Sequence, residues 1–235
     1  MSGKLYLCAT PIGNLEDITL RVLRTLKEVD LIAAEDTRNS IKLLNHFDIK
    51  TPLTSYHEYN KVDKAYQLVE KMQQGTNIAL ITDAGTPGIS DPGEDLVRIC
   101  YEQGIEVTSL PGAAACITAL TLSGLPTRRF SFEAFLPKEK KERAAVLEEL
   151  KNDTRTLIVY EAPHHLLGTL KELQNALGDR RLTVCRELTK KFETAFQTTF
   201  SEAIRYYEEQ GVRGECVLVI EGRSREELVQ EAQQS

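Results

Sequence analysis

Between Thr82 and Gly93 the chain reads Thr-Asp-Ala-Gly-Thr-Pro-Gly-Ile-Ser-Asp-Pro-Gly, which puts three glycines, two prolines and two aspartates in one run. The apolar residues Ile78-Ala79-Leu80-Ile81 before it read as a buried strand. Glu94-Asp95-Leu96-Val97-Arg98-Ile99-Cys100 after it opens an amphipathic helix. A plain strand-to-helix turn needs only about 2–6 residues, so this one is long for a mere connection. An ordinary turn with a capped helix is the simpler alternative. In an α/β sheet, ligands bind at the carboxyl ends of the strands. Gly85 and Gly88 let backbone come close to a ligand, while Pro87 and Pro92 stiffen the turns.

The same strand–loop–helix unit recurs. Leu5-Tyr6-Leu7-Cys8-Ala9 reads as a strand ending in Thr10-Pro11-Ile12-Gly13-Asn14-Leu15. Asp17 is placed to cap the next helix, on which Ile18, Val22, Leu26 and Val29 fall near helical spacing. Leu31-Ile32-Ala33-Ala34 is a strand ending in Glu35-Asp36-Thr37-Arg38, a pattern that fits either a site or an N-cap with a solvated ion pair. Ser55-Tyr56-His57-Glu58-Tyr59-Asn60 marks another strand-to-helix transition, followed by a helix with Val62, Ala65, Val69 and Met72 and a stop at Gly75. Ile105 to Leu110 is a strand closed by Pro111-Gly112-Ala113-Ala114-Ala115, whose small residues suit tight helix packing or a surface cleared for a flat ligand. Such alternation predicts a parallel, wound sheet.

The second half differs. Gly124-Leu125-Pro126-Thr127 breaks the pattern like a hinge, and strands are expected at Phe130–Phe135, Thr156–Tyr160, Leu182–Cys185, Ala195–Phe200 and Cys216–Ile220. Pro163-His164-His165 reads as a first helical turn, and adjacent histidines make a poor metal pair. The expected organisation is an α/β fold in two domains. Residues 1–115 carry a parallel wound sheet, residues 116–222 a mixed sheet, and residues 223–235 a charged, Gln-rich tail.

Bulk properties exclude several classes. With 235 residues, 41% hydrophobic and 27% charged, the chain supports real cores. No apolar run approaches the ~20 residues of a membrane span, and the first residues lack the build of a signal peptide, so a cytoplasmic protein is expected. Five scattered cysteines without a CxxC pair read as reduced core thiols. The net charge of −6 gives no global sign of nucleic-acid binding. No GxGxxG, no P-loop, no zinc spacing and no GxSxG elbow occurs, so no metal is expected. The loops offer backbone N–H and C=O groups, suited to a neutral or zwitterionic ligand rather than a bare polyphosphate.

Taken together, TPIGNL at Thr10–Leu15, AAEDTR at Ala33–Arg38, TDAGTPGISDPG at Thr82–Gly93, LPG at Leu110–Gly112, AFLP at Ala134–Pro137, RELTK at Arg186–Lys190 and RGE at Arg213–Glu215 resemble one family. They are similar to the bacterial ribosomal RNA small-subunit methyltransferase I family of the tetrapyrrole methylase superfamily. Nearly the whole chain is covered, in order. Many members of that family carry an additional C-terminal helical segment, whereas this sequence stops at Ser235.

The resemblance implies S-adenosyl-L-methionine as methyl donor, bound in the cleft between two α/β domains, and a homodimer. It implies 2′-O-ribose methylation of a cytidine in the decoding region of small-subunit (16S) ribosomal RNA, offered as RNA or as the assembled 30S particle, with no membrane involved. The donor-binding positions it implies are Pro11, Asp83, Gly85, Thr86, Pro87, Ile89, Ser90, Asp91, Ala114, Ala115, Glu161, Ala162, Leu188 and Glu215. Asp83 and Asp91 have the alternative role of bracing the loop by accepting backbone N–H bonds. A ribose hydroxyl is a poor nucleophile, so a general base would help. The candidates are Asp36, Glu35 and His57, with Asp36 favoured and Arg38 orienting it or an RNA phosphate. Basic surface for RNA is sought at Lys138–Arg143, Arg128-Arg129 and Lys190-Lys191. The rival readings are a precorrin-type tetrapyrrole methylase of the same fold and a donor-binding module without turnover.

Overall fold

A computed structural model describes residues 2–58 and 61–224, with only the backbone described at Lys61. Residues 225–235, and with them most of the expected tail, lie outside the described residues. The chain divides into two units, one through Ala114 and one from Ala115 onward.

In the first unit five strands alternate with helices: β1 (Lys4–Cys8), α1 (Leu20–Glu28), β2 (Leu31–Ala34), α2 (Thr37–His46), β3 (Leu53–Ser55), α3 (Lys61–Gln73), β4 (Ile78–Ile81), α4 (Glu94–Glu102) and β5 (Glu106–Leu110). The strand order is β3-β2-β4-β1-β5, and every pairing is parallel. Successive strand residues point to opposite faces, and both faces are buried here, which is why the strands read as continuous apolar runs. Leu5, Ala33, Ile78 and Leu80 pack with Leu68, Met72, Leu96 and Ile99 from α3 and α4. Cys8, Ile32, Ala79 and Ile81 pack with Val22, Leu26 and Leu44 from α1 and α2. A fully buried leucine or isoleucine contributes about 1.5–3 kcal/mol, so these two layers supply most of the unit's cohesion.

Local chemistry sets the helix ends. α1 is capped by Thr19, whose hydroxyl accepts from Val22 N at 3.1 Å, not by Asp17 as expected. Asp17 ends a short 3₁₀ turn, Leu15–Asp17, that Asn14 caps. The extra turn delays the helix by one loop residue pair and leaves Ile18 as a buried anchor before it. Val62 is exposed and Leu68 takes the core position on α3.

The second unit contains α5 (Ala115–Leu122), β6 (Phe130–Phe135), α6 (Lys140–Lys151), β7 (Thr156–Glu161), α7 (Leu166–Leu177), β8 (Arg181–Arg186), β9 (Thr194–Thr199), α8 (Phe200–Gln210) and β10 (Cys216–Ile220). Its sheet order is β6-β7-β10-β8-β9. β6 runs parallel to β7, and the other pairings are antiparallel, so the sheet is mixed. One face packs Leu157, Val159, Leu182, Val184 and Leu218 against Leu150, Leu170, Leu173 and Phe200 of α6, α7 and α8. α5 lies on the other face. Ser123 O, just beyond its end, accepts from Thr183 Oγ1 at 2.9 Å and Gln197 Nε2 at 2.7 Å. Cys116 N donates to Tyr160 Oη at 2.9 Å. The expected hinge Gly124–Thr127 therefore sits inside this unit, beside β8 and β9. Pro163-His164-His165 form a hydrogen-bonded turn that leads into α7, with His165 N and Leu166 N both donating to Ala162 O at 3.0 and 3.1 Å, and regular helix starts at Leu166. Phe200 begins α8 instead of ending a strand; Thr199 and Glu202 form a reciprocal capping box there.

Candidate active site

All the loops singled out in the first unit leave the carboxyl edge of one sheet. His57 follows β3, Glu35 and Asp36 follow β2, Thr82–Gly93 follows β4, Thr10-Pro11 follows β1 and Pro111–Ala114 follows β5. β1 and β4 are neighbours whose onward connections cross the sheet in opposite directions, β1 to β2 and β4 to β5. Such a switch point is where open α/β sheets bind ligands.

Two of these loops are joined main chain to main chain, and a threonine hydroxyl ties in the third. Thr10 N donates to Gly85 O at 2.8 Å, and Gly85 N to Thr10 O at 3.0 Å. Thr10 Oγ1 donates to Thr82 O at 3.1 Å, and Thr86 Oγ1 to Ala113 O at 3.0 Å. A Cβ on Gly112 would lie 2.6 Å from the Ala9 Cβ, so only glycine permits the β1 and β5 ends to meet. Within the long loop Gly85 and Gly88 have φ of 85° and 81°, and Ser90, without glycine's freedom, is held at 63°. Gly93 packs so closely on Gly88 that a Cβ would fall 2.9 Å from its nitrogen. The result is a rigid main-chain surface with few side chains on it.

Acidic groups flank that surface. Asp83 Oδ1 accepts from Asp36 N at 3.2 Å and Oδ2 from Asn39 Nδ2 at 2.9 Å, tying the β4 loop to the start of α2. Glu35 Oε2 accepts from Asp83 N at 3.4 Å. Burial, followed by the nearby Asp83, Asp36 and Glu58 charges, holds the Glu35 carboxyl above the usual range against the opposing Asp83 N–H. Burial also pushes Asp91 up to about 7, helped by the Glu35 and Asp83 charges and opposed by a hydrogen bond from Thr82. Asp36 behaves differently. It caps α2 through Arg38 N at 2.8 Å and holds the Arg38 guanidinium at 3.1 and 2.7 Å. Those bonds pull its carboxyl down to about 2. The cap with an ion pair, one of the two sequence-level alternatives, is the arrangement present. His57 is half-buried, directly after the fully buried Tyr56.

In the second unit, the Glu161 carboxylate accepts from Ala162 N at 2.8 Å and Thr169 Oγ1 at 2.5 Å, which pins the start of α7. Leu188 is buried between Glu187 and Thr189, whose φ values are 51° and 65°. Glu215 takes Lys190 Nζ at 2.8 Å while its N–H donates to Glu187 Oε1 at 2.9 Å. Lys190 is thus already paired, and only Lys191 of that basic pair is open. All five cysteines are buried and free, with burial pushing Cys8, Cys100, Cys185 and Cys216 up to about 12. No metal-binding cluster occurs among the described residues.

Asn39 supports the site and was not singled out from the sequence, while Thr82 and Ala113 lie in the loops that were, outside the implied donor-binding positions. Asn39 lay one turn from Asp36, but nothing in the sequence linked it to Asp83, 44 residues away.

Residues 4–204 match the model of the tetrapyrrole (corrin/porphyrin) methylases, which defines the class as a methylase of that family. The fold agrees with solved members. A diphthine synthase superposes with a TM-score of 0.74 at 12% identity, covering 93% of this chain and 90% of that one. A cobalt precorrin-4 methyltransferase superposes with a TM-score of 0.68 at 18% identity, covering 93% and 94%. Sequence relatives are much nearer. The ribosomal RNA small subunit methyltransferase I of Halalkalibacterium halodurans is 53% identical over 94% of this chain and 76% of its own length. That of Thermotoga maritima is 44% identical over 94% of this chain and 99% of its own length. Within the tetrapyrrole methylases, the chain belongs to the ribosomal RNA small subunit methyltransferase I family.

Proposed function

We propose that the chain transfers a methyl group from S-adenosyl-L-methionine to the ribose 2′-hydroxyl of a cytidine in the decoding region of small-subunit ribosomal RNA. Identity of 53% with a ribosomal RNA small subunit methyltransferase I over 94% of the chain carries this reading. The precorrin methyltransferase shares only the fold, at 18% identity.

The first unit's loops fit such a donor. They bring the main chain around Thr86, Ile89 and Ala113-Ala114 to the carboxyl edge of the sheet, beside the mutually paired Thr10 and Gly85, and a ligand with many hydrogen-bonding edges suits such a surface. Glu35, Asp83 and Asp91 supply negative charge suited to a cationic molecule. When bound, the donor supplies an electrophilic methyl that needs neither metal nor covalent enzyme intermediate. The chain's task is to hold acceptor and donor in line, and positioning alone is worth about 7–11 kcal/mol.

A proton must leave the hydroxyl. The preferred base from the sequence, Asp36, is poorly suited, because a carboxyl near 2 scarcely holds a proton at neutral pH. Glu35, raised by burial, is the better acceptor, and Arg38 with Asp36 becomes a positioning pair. On the RNA side, exposed Lys140 and Lys141 stand in the first turn of α6, where cations oppose the helix dipole. Their presence there serves a partner better than it serves the helix. An acidic chain recognising an assembled 30S particle by shape, through such local patches, reconciles a net charge of −6 with an RNA substrate. The working form is proposed to be a cytoplasmic homodimer; no helix among the described residues is long and apolar enough to cross a membrane.

The test is mass mapping of ribosomal RNA after incubation of 30S particles with purified protein and isotopically labelled donor. A labelled cytidine 2′-O-methyl in the decoding region is expected. Label on an offered precorrin and none on the RNA would overturn the reading.

A further inference from the structure

We propose that a groove formed by β8, β9, the last turns of α8 and the segment after it binds one nucleotide of single-stranded RNA outside the reacting one. The proposal rests on the RNA reading above and names a contact for it. The groove encloses about 400 Å³. Its walls combine the guanidinium groups of Arg186 and Arg213 with the rings of Phe196, Tyr206 and Tyr207, beside Gln210, and no carboxylate lines it. In a chain of net charge −6 this is a local reversal.

Each wall suits part of a nucleotide. Arg186 is pre-positioned by Nε to Thr194 Oγ1 at 3.3 Å, Nη1 to Arg213 O at 3.3 Å and Nη2 to Phe192 O at 3.1 Å. Those bonds use three of the five N–H donors of a guanidinium, leaving two for a phosphate. Arg213 is exposed, and no acidic side chain pairs with it among the described residues. Tyr206 is 49% exposed and is braced by Phe196 at 5.4 Å and Tyr207 at 5.1 Å between ring centroids. A braced ring with an open face is a stacking platform for a base, and guanidinium groups favour phosphate. Lys191, over the Phe192 ring at 5.6 Å, extends the basic edge. An acidic peptide would answer the charge but leave the flat tyrosine face unused.

The experiment is direct binding of a fluorescein-labelled single-stranded RNA decamer to the full chain, with a mononucleotide as a second probe. Tyr206→Ala and Arg213→Ala are each expected to weaken decamer binding about tenfold. Arg213→Ala should also flatten the slope of log affinity against log salt by about 0.7. Tyr101→Ala, at a 70% exposed tyrosine in the first unit, should leave the affinity unchanged. Both groove side chains are surface groups, so the variants should melt with the parent. Parent-like affinity in both groove variants, an equal loss in Tyr101→Ala, or failure of the parent to bind the decamer would overturn the proposal. So would binding of the mononucleotide as tight as that of the decamer. Methyl transfer is read separately. A chain that binds RNA through this groove yet labels no ribosomal RNA keeps the subsite and refutes the proposed reaction.

Discussion

Replacing Asp91 with Asn isolates the cost of an acid folded into the β4 loop. Asp91 is raised from 3.8 to about 7, chiefly by burial. The shift is worth about 4 kcal/mol at ~1.36 kcal/mol per unit, but the side chain keeps solvent contact, and screening cuts this to about 1–2 kcal/mol. The sign follows from proton binding. The folded chain holds the Asp91 proton more tightly than the unfolded chain, so this group's contribution to stability falls as pH rises from about 4 to about 7. Above that window the full cost is present; below it there is none. Asp91→Asn removes the charge and keeps an acceptor for Thr82. The variant should therefore melt about 2–8 °C above the parent near pH 8, with the gap closing near pH 4. Differential scanning calorimetry across that range measures it, at fixed ionic strength and without donor. A gap independent of pH would refute the reasoning, because it would mean that packing rather than ionisation separates the two chains.

The same carboxyl should make the affinity for S-adenosylmethionine, a cation, rise with pH through about 7 in the parent and not in Asp91→Asn, as read by calorimetric titration. Gly112→Ala should destabilise by about 1–3 kcal/mol, since its Cβ would meet Ala9 2.6 Å away; urea unfolding checks this. Glu35→Gln should slow single-turnover methylation of 30S particles by about 10²–10⁴ if it accepts the proton, whereas Asp36→Ala should mainly lower the melting temperature by uncapping α2. Charge reversal at Lys140 and Lys141 should weaken 30S binding and flatten its salt dependence, and an unchanged salt response would remove those contacts.

Much of the first unit was legible because its physics is local. A strand buried on both faces must be apolar throughout, so Ile78–Ile81 and Leu31–Ala34 announce themselves, and glycine–proline loops mark where each strand ends. That the Thr10, Gly85 and Ala113 loops are joined was not legible, because strand order brings them together and no sequence spacing records it. The hinge expected at Gly124 shows the opposite error. Its composition breaks a pattern, yet Thr183 and Gln197 bond Ser123 beside it and hold that segment within one unit.

The sequence by itself determined the alternation of elements, the family and the loops that carry the site, since these depend on periodicity, glycine and proline placement and motif order. Only the tertiary structure decided which acid can take a proton. Asp36 and Asp91 are the same residue type. They differ because one meets Arg38 in solvent and the other is desolvated beside Glu35. Proton affinity follows the surrounding charges and water, and those are set by residues distant in the chain.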